Sequence, residues 1–578
     1  MFSRHRRRTI AAVSALALTA GMLQLGGAGL AVAKSGSFSA KAEAKKMDAV
    51  KTPKLDWFPC YQTAECVTVK VPRDYNKPKG AKVELALLRV KATNPKKRIG
   101  SLFLNPGGPG GTAIDMAYYS SEILSPEVTE RFDIVGMDPR GVGSSDNVQC
   151  FPGLRQQDPA MAGYNRVFPF TAAEEKAWIK SDKALGKACS KNTLAKSMSS
   201  AEVARDLELM RRAVGDKKLS YLGWSYGTVI GQYYANMFPD RFRAVAVDGV
   251  IDPVAWAGDK ANRAQPLDER LRAADGAWKA LREILVRCDK AGGELCEFAP
   301  GNPVANLALI AQRLKAHPLT EEDEFTGEVF TFTYADLVGE MLGALYDPAG
   351  YEYITDLLSQ LIVLTEPPAV LSAKTAAKKT AADKLSDLLR TSEHRSGRPS
   401  RGFYYDNYFD VLAAVTCTDS QETTKSASYP AFGVRADQRA PYFGRAWLWS
   451  SSVCAGDAFT GNDEDAFLGP FNTKTASPVL FVGDYYDPAT NYAGAVSAAK
   501  RMPNSGLLRS NSWGHTAYGT SDCATSGVDS YLLTGKLPAT NKVCVGDIQP
   551  FEADLEELSA NTARQHALHS RLPGVAVR

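Results

Sequence analysis

Five residues constrain this chain more than any others: Gly223-Trp224-Ser225-Tyr226-Gly227. They end an apolar run, Leu219–Gly223, that reads as a strand, and they open Tyr226–Phe238, whose apolar positions recur at helical spacing. A chain that passes from strand to helix so abruptly needs small residues on either side of the apex, here 223 and 227. The apical serine is held in a strained conformation that pushes its hydroxyl outward. The helix N-terminus behind it favours developing negative charge. Such a turn belongs to a layered α/β fold.

The rest of the chain supplies the layers. Strand-like runs at Val67–Val71, Val83–Val90, Ile99–Asn105, Phe132–Met137, Leu219–Gly223 and Ala244–Asp248 alternate with helical patterns such as Ala201–Val214. That alternation implies a mostly parallel sheet covered on both faces. From about 253 to 470 the pattern turns helix-rich and polar, with an Ala/Lys-dense segment at 373–385 that reads as solvent-facing. Strand character returns at Pro478–Gly483 and Gly506–Ser510. The reading is therefore a core of residues 55–252 and 471–550, a large helical cap of 253–470 inserted between strands 6 and 7, and a tail of 551–578.

A serine nucleophile needs a base, and six histidines are on offer: His5, His317, His394, His515, His566 and His569. Only His515 follows a late strand, in the loop Asn511–Thr516, which suits the serine, acid, histidine order that accompanies such a turn. The acid belongs after the preceding strand, where Phe481–Thr490 offers Asp484 and Asp487. Asp487, before Pro488, is placed to turn toward the histidine; Asp484 is better placed to brace the turn. The loop Asn105-Pro106-Gly107-Gly108-Pro109-Gly110-Gly111 follows the third strand, where backbone N–H groups for an oxyanion belong. Gly108 and Tyr226 are the expected donors. A phosphate-binding loop is the rival reading, but it lacks the Lys-Ser/Thr such loops carry. Asp138–Ser145 reads as scaffolding rather than chemistry.

The first 33 residues read as an export signal: basic through Arg8, apolar from Ile10 to Leu25, with Ala31-Val32-Ala33 before the expected cut. Glycines at 21, 26 and 27 break the run short of a membrane span. Arg4, Arg6, Arg7 and Arg8 account for the whole formal charge of +4, leaving a near-neutral body that argues against nucleic acid as partner. Residues 34–54, rich in Lys, Ala and Ser, read as a flexible leader or pro-segment. All ten cysteines follow the signal, so an oxidising compartment and disulfides are expected. Spacing favours Cys60–Cys66, Cys150–Cys189, Cys288–Cys296, Cys417–Cys454 and Cys523–Cys544, although spacing does not fix connectivity. No CxxC pair occurs, which weakens a metal reading; the chemistry calls for no metal or organic cofactor.

Taken together these motifs resemble the secreted tripeptidyl aminopeptidase and proline iminopeptidase group of serine peptidases with the α/β-hydrolase fold. The resemblance rests on Asn105–Gly111, Asp138–Ser145, Gly223–Gly227, Asp487–Thr490, and a segment from about Pro478 to Cys544 that carries Gly514-His515 and Tyr531–Gly535. Asn105-Pro106 stands where single-residue-releasing relatives carry His-Gly, which favours the tripeptidyl branch. The resemblance implies release of short peptides from free N-termini of peptide substrates, with no integral membrane association once the signal is removed. It also implies an acid in the cap for the substrate amine. Asp419, in Ala414–Asp419, is the candidate. An esterase or other acyl hydrolase on the same three residues is the alternative, and an inactive binding protein a further one.

Overall fold

The computed structural model describes residues 38–322, 329–367, 375–395, 405–539 and 543–552. The export-type stretch 1–33, His5, His566, His569 and all but the start of the tail 551–578 lie outside the described residues.

In chain order the strands are β1 (Phe58–Cys60), β2 (Ala64–Pro72), β3 (Lys82–Val90), β4 (Gly100–Asn105), β5 (Phe132–Met137), β6 (Leu219–Trp224) and β7 (Phe242–Asp248), then β8 (Leu319–Glu322), β9 (Val329–Phe332), β10 (Val479–Tyr486), β11 (Ser505–Trp513) and β12 (Val543–Cys544). Ten of them form one sheet in the order β1-β2-β3-β5-β4-β6-β7-β10-β11-β12. The pairs β1–β2, β2–β3 and β3–β5 are antiparallel. From β5 to β12 every pairing is parallel. The central strands β4, β5 and β6 are buried at every position, as unbroken apolar runs covered by helices on both faces must be. The sequence reading missed β1, three residues with Pro59 inside, which clings to the sheet edge and is tied across to β2 by Cys60–Cys66. With β1 counted, the large insertion falls between the seventh and eighth strands of the sheet.

The parallel register sets the strand ends side by side. Asn105 pairs with Gly223, Trp224 with Asp248, Asp248 with Val482, and Tyr486 with Trp513. Loops leaving β4, β6, β10 and β11 therefore open onto one rim, where ligands bind in open α/β sheets.

Between β7 and β10 the described residues are mainly helical, with an antiparallel hairpin, β8–β9, that the sequence reading did not anticipate. Its helices are amphipathic; Ala273–Ala291, for example, buries Ala273, Ala277, Ala280, Leu281, Ile284 and Cys288 at three- and four-residue spacing. In the helix Thr375–Arg395, residues 376–390 are mostly exposed or half-buried, as the Lys/Ala content suggests, but Ala381 and Leu385 are buried one turn apart. The described residues from Ser39 on form one unit, so the insertion is continuous with the sheet.

The segment read as a flexible leader departs from that expectation. Ala40–Asp48 is a helix capped by Ser39, and Met47 and Val50 are buried. Glu43 accepts from Arg205 at 2.7 Å, and Asp48 pairs with Arg241 at 2.8 Å. Two apolar residues and two acids suffice to dock a segment whose overall composition looks solvated. The cysteines join in five disulfides, Cys60–Cys66, Cys150–Cys189, Cys288–Cys296, Cys417–Cys454 and Cys523–Cys544, and none is left free.

Candidate active site

Ser225 leaves β6 with φ of +55°, a conformation non-glycine residues avoid. Its N–H donates to the carbonyl of Asp248 at 3.0 Å, and its carbonyl accepts from the N–H of Thr228 at 2.8 Å. The first bond fixes the turn to β7 and the second starts the helix Gly227–Met237. The glycine loop after β4 lies directly on this turn. Gly107 has φ of +95°, and a Cβ there would meet Trp224 O at 2.6 Å and Ser225 Cβ and Tyr226 N at 2.8 Å. Only glycine admits that approach, and it brings the backbone of 107–108 beside the Tyr226 N–H.

Asp487 and His515 come together from the loops after β10 and β11. His515 Nδ1 lies 2.9 Å from both carboxylate oxygens of Asp487, and both side chains are fully buried. Asp487 also accepts from the N–H groups of Ala489 and Thr490 at 2.8 Å, from the Thr490 hydroxyl at 2.7 Å and from the Thr516 N–H at 3.2 Å. Burial pushes its carboxyl up, but the charge of His515 and these hydrogen bonds outweigh it and hold the group below the usual carboxylate range. The second acid, Asp484, is buried with one oxygen lacking a hydrogen-bond donor, and burial holds it well above that range. The two acids are thus separated by their surroundings: hydrogen bonds and His515 hold Asp487 low, while burial raises Asp484.

His515 is held from the insertion too. Its N–H donates to the Tyr346 carbonyl at 2.9 Å, and the Tyr346 ring meets the imidazole edge-on at 5.1 Å. Sequence reasoning missed Tyr346, because nothing in its local pattern signals a contact with a residue so far along the chain. Ser225 and His515 flank the same point: Ser225 is bonded to Asp248, and a Cβ on the next residue, Gly249, would lie 3.2 Å from His515 Cε1. Asp248 itself accepts from the N–H groups of Ala517 and Tyr518, tying the histidine loop to β7, and burial raises it to about 6.

Ser225, Gly108 and Pro109 open into a cavity of about 130 Å³ whose other walls include Asp252 and, from the insertion, Asp268, Tyr346, Thr416 and Trp447. Asp419, expected to meet a substrate amine, is not among those walls. It is fully buried, and its oxygens accept from the Ser200 N–H at 2.8 Å, the Ser200 hydroxyl at 2.5 Å and the Trp256 indole at 2.9 Å. That expectation is corrected: a carboxylate with three internal donors has a structural task. Ser200 also bonds the Tyr226 hydroxyl at 2.7 Å, so Asp419 braces the residue after Ser225. The acids that do line the cavity are Asp252, whose Oδ1 caps the helix Pro253–Ala257, and Asp268, whose Oδ2 accepts from the Ser450 and Ser451 hydroxyls and which burial pushes up to about 7; each keeps its other oxygen clear of these bonds.

The Asp138–Ser145 stretch scaffolds, as read. Asp138 accepts from the N–H groups of Ile114 and Ser144, and Arg140, wholly buried, grips Asp206 at 2.7 and 2.8 Å together with the carbonyls of Pro72, Arg73 and Ser197. Among the described residues two groups of potential metal ligands occur. One contains the bonded Cys150 and Cys189 sulfurs, and the other, Glu202, Asp463 and Asp465, is tied to Arg140 and Arg205. No helix among the described residues is long and apolar enough to cross a membrane.

Comparison with known proteins agrees with this architecture. Residues 100–275 match the family profile described as alpha/beta hydrolase fold, and residues 440–544 the one described as TAP-like protein. The serine protease Hip1 of Mycobacterium tuberculosis is 31% identical over 508 residues, 85% of this chain and 91% of that protein. A tripeptidyl aminopeptidase of Streptomyces lividans is 28% identical over 86% of this chain and 87% of its own length. A protein named carboxylesterase B of Mycobacterium tuberculosis is 29% identical over 86% and 91%. Similarity at this level over this much of the length shows that the chain belongs to the TAP-like group of the α/β-hydrolase family and is a hydrolase of the serine-peptidase type.

Proposed function

We propose that this protein is a secreted serine exopeptidase that releases short peptides, chiefly tripeptides, from free N-termini, with Ser225 as nucleophile, His515 as base and Asp487 as its orienting acid. The observation that carries the reading is the buried Asp487–His515 pair on the rim that Ser225 shares, beneath an insertion that narrows the approach to a small cavity. Ser225 Oγ attacks the scissile carbonyl as its proton passes to His515 Nε2. Asp487 holds the Nδ1–H and stabilises the imidazolium. The oxyanion is met by the N–H groups of Gly108 and Tyr226, held together by the close approach of Gly107. Collapse expels the amine, which takes the proton from His515. Water, deprotonated by His515, then releases the acyl peptide from Ser225.

Exopeptidase action needs a limited cavity and a partner for the substrate ammonium. Asp252 and Asp268 supply carboxylates in the wall of the cavity that Ser225 enters. Five disulfides and the export-type stretch ahead of them support secretion. Hydrolysis of free tripeptidyl p-nitroanilides, their N-acetylated forms, single-residue anilides and a simple acyl ester tests the reading, with Ser225→Ala as control. Cleavage confined to the free-amine tripeptides and absent in Ser225→Ala is expected. The relative named carboxylesterase B favours a second reading, an acyl esterase on the same residues. Hydrolysis of the ester alone would establish it.

A further inference from the structure

A second cavity, of about 60 Å³, shares the walls Tyr408, Leu412 and Ser450 with the cavity that holds Ser225. It is lined by the rings of Tyr164, Trp178, Phe409 and Trp449 and by one acid, Asp182. Tyr164 stacks on Phe409 at 5.0 Å and leans on Trp178 at 4.7 Å, so the rings form a fixed box. Asp182 is 1% exposed. Its Oδ1 accepts from the Tyr164 hydroxyl at 2.7 Å, whereas its Oδ2 has no donor in bonding geometry, although the Ser452 hydroxyl lies near enough to lower the carboxyl. The neighbouring Ser452 hydroxyl, which receives the Trp178 indole N–H at 3.0 Å, donates to the Trp449 carbonyl at 2.9 Å. A buried carboxyl oxygen left open in an aromatic box has a ligand as its natural complement.

We propose that this compartment is a subsite for a lysine side chain of the peptide lying in the main cavity, an inference that rests on the peptidase reading above. Ring faces attract an alkylammonium, and Asp182 Oδ2 accepts its hydrogen bond. Burial raises the Asp182 carboxyl to about 7, so an arriving ammonium readily draws it into the ionised form. At roughly 10–15 Å³ per water-sized site, the volume suits the four methylenes and one nitrogen of lysine. The N-terminal ammonium sits on a branched backbone carbon, and Asp252 and Asp268 in the main cavity are placed for it. Arg166, the one basic residue of the lining, is partly exposed, and its charge also acts on Glu174, whose carboxyl it helps to lower.

The test uses the mature protein and alanyl tripeptide p-nitroanilides in which each position in turn carries lysine or its uncharged isostere norleucine. At one position lysine is expected to exceed norleucine by about tenfold in kcat/KM, and Asp182→Asn to bring the ratio near one. Equal rates for the two at every position would overturn the proposal. So would a uniform rise in KM for all free-amine substrates in Asp182→Asn, which would give the compartment to the N-terminus instead. A second measurement needs neither turnover nor a variant that folds: n-butylammonium, but not n-butanol, should perturb the tryptophan fluorescence of the unmutated protein. Failure of every tripeptide with this signal intact would sink the peptidase reading alone; its absence would sink the subsite.

Discussion

Replacing Gly107 by alanine tests how closely the glycine loop must approach Ser225. The added methyl would sit 2.6 Å from Trp224 O and 2.8 Å from both Ser225 Cβ and Tyr226 N, where ordinary contact begins at 3.4 Å. The atoms it meets are backbone or anchored to it, so one loop must retreat by roughly 0.6–0.8 Å. A displacement of that order at the oxyanion donors is expected to lower kcat by about 10²-fold, while KM changes far less. The left-handed backbone adds a stability loss of about 1–2 kcal/mol. Gly215→Ala separates the two effects, because Gly215 has φ of +87° with nothing within 4 Å of the added methyl. It should show a similar stability loss with unchanged kcat. Steady-state kinetics and chemical denaturation of both variants give the comparison, and a Gly107→Ala enzyme with kcat near that of the parent would refute the reasoning.

Asp487→Asn removes the acceptor that fixes the His515 tautomer, and kcat should fall by about 10⁴-fold with the fold intact by circular dichroism. Stability should peak on the acid side of neutrality. Asp248, raised by burial to about 6, contributes fully below about pH 4 and loses that contribution as pH rises from there to about 6. Asp487, held low, acts oppositely, contributing above about pH 4 and failing as pH drops through its lowered value. Melting temperatures measured from pH 4 to 8 should therefore fall between about pH 4 and 6, and Asp248→Asn should flatten that slope. Removing the Cys417–Cys454 bond, which closes a loop over a sequence separation of 37, should destabilise by up to about 4 kcal/mol in denaturant unfolding of the double alanine variant.

The sequence was most legible where backbone necessity dictates residue type. Gly223–Gly227, the glycine loop at 107–108 and the loops bearing Asp487 and His515 could be placed because each follows a strand and few residues fit such turns. Asp419 misled because its surroundings, Ser200 and Trp256, come from distant parts of the chain. The same limit hid Tyr346, Asp268 and Asp182, whose significance lies in what they face. The docked helix Ala40–Asp48 was obscured by composition: its Lys and Ala outnumber the buried Met47 and the paired Glu43 that attach it.

The most direct test of exopeptidase action is mass spectrometry of an unlabelled ten-residue peptide incubated with the protein, once with a free and once with an acetylated N-terminus. The account predicts successive three-residue fragments from the free peptide, none from the acetylated one, and none from either with Ser225→Ala. Internal cleavage of the acetylated peptide, or fragments that persist in Ser225→Ala, would contradict it.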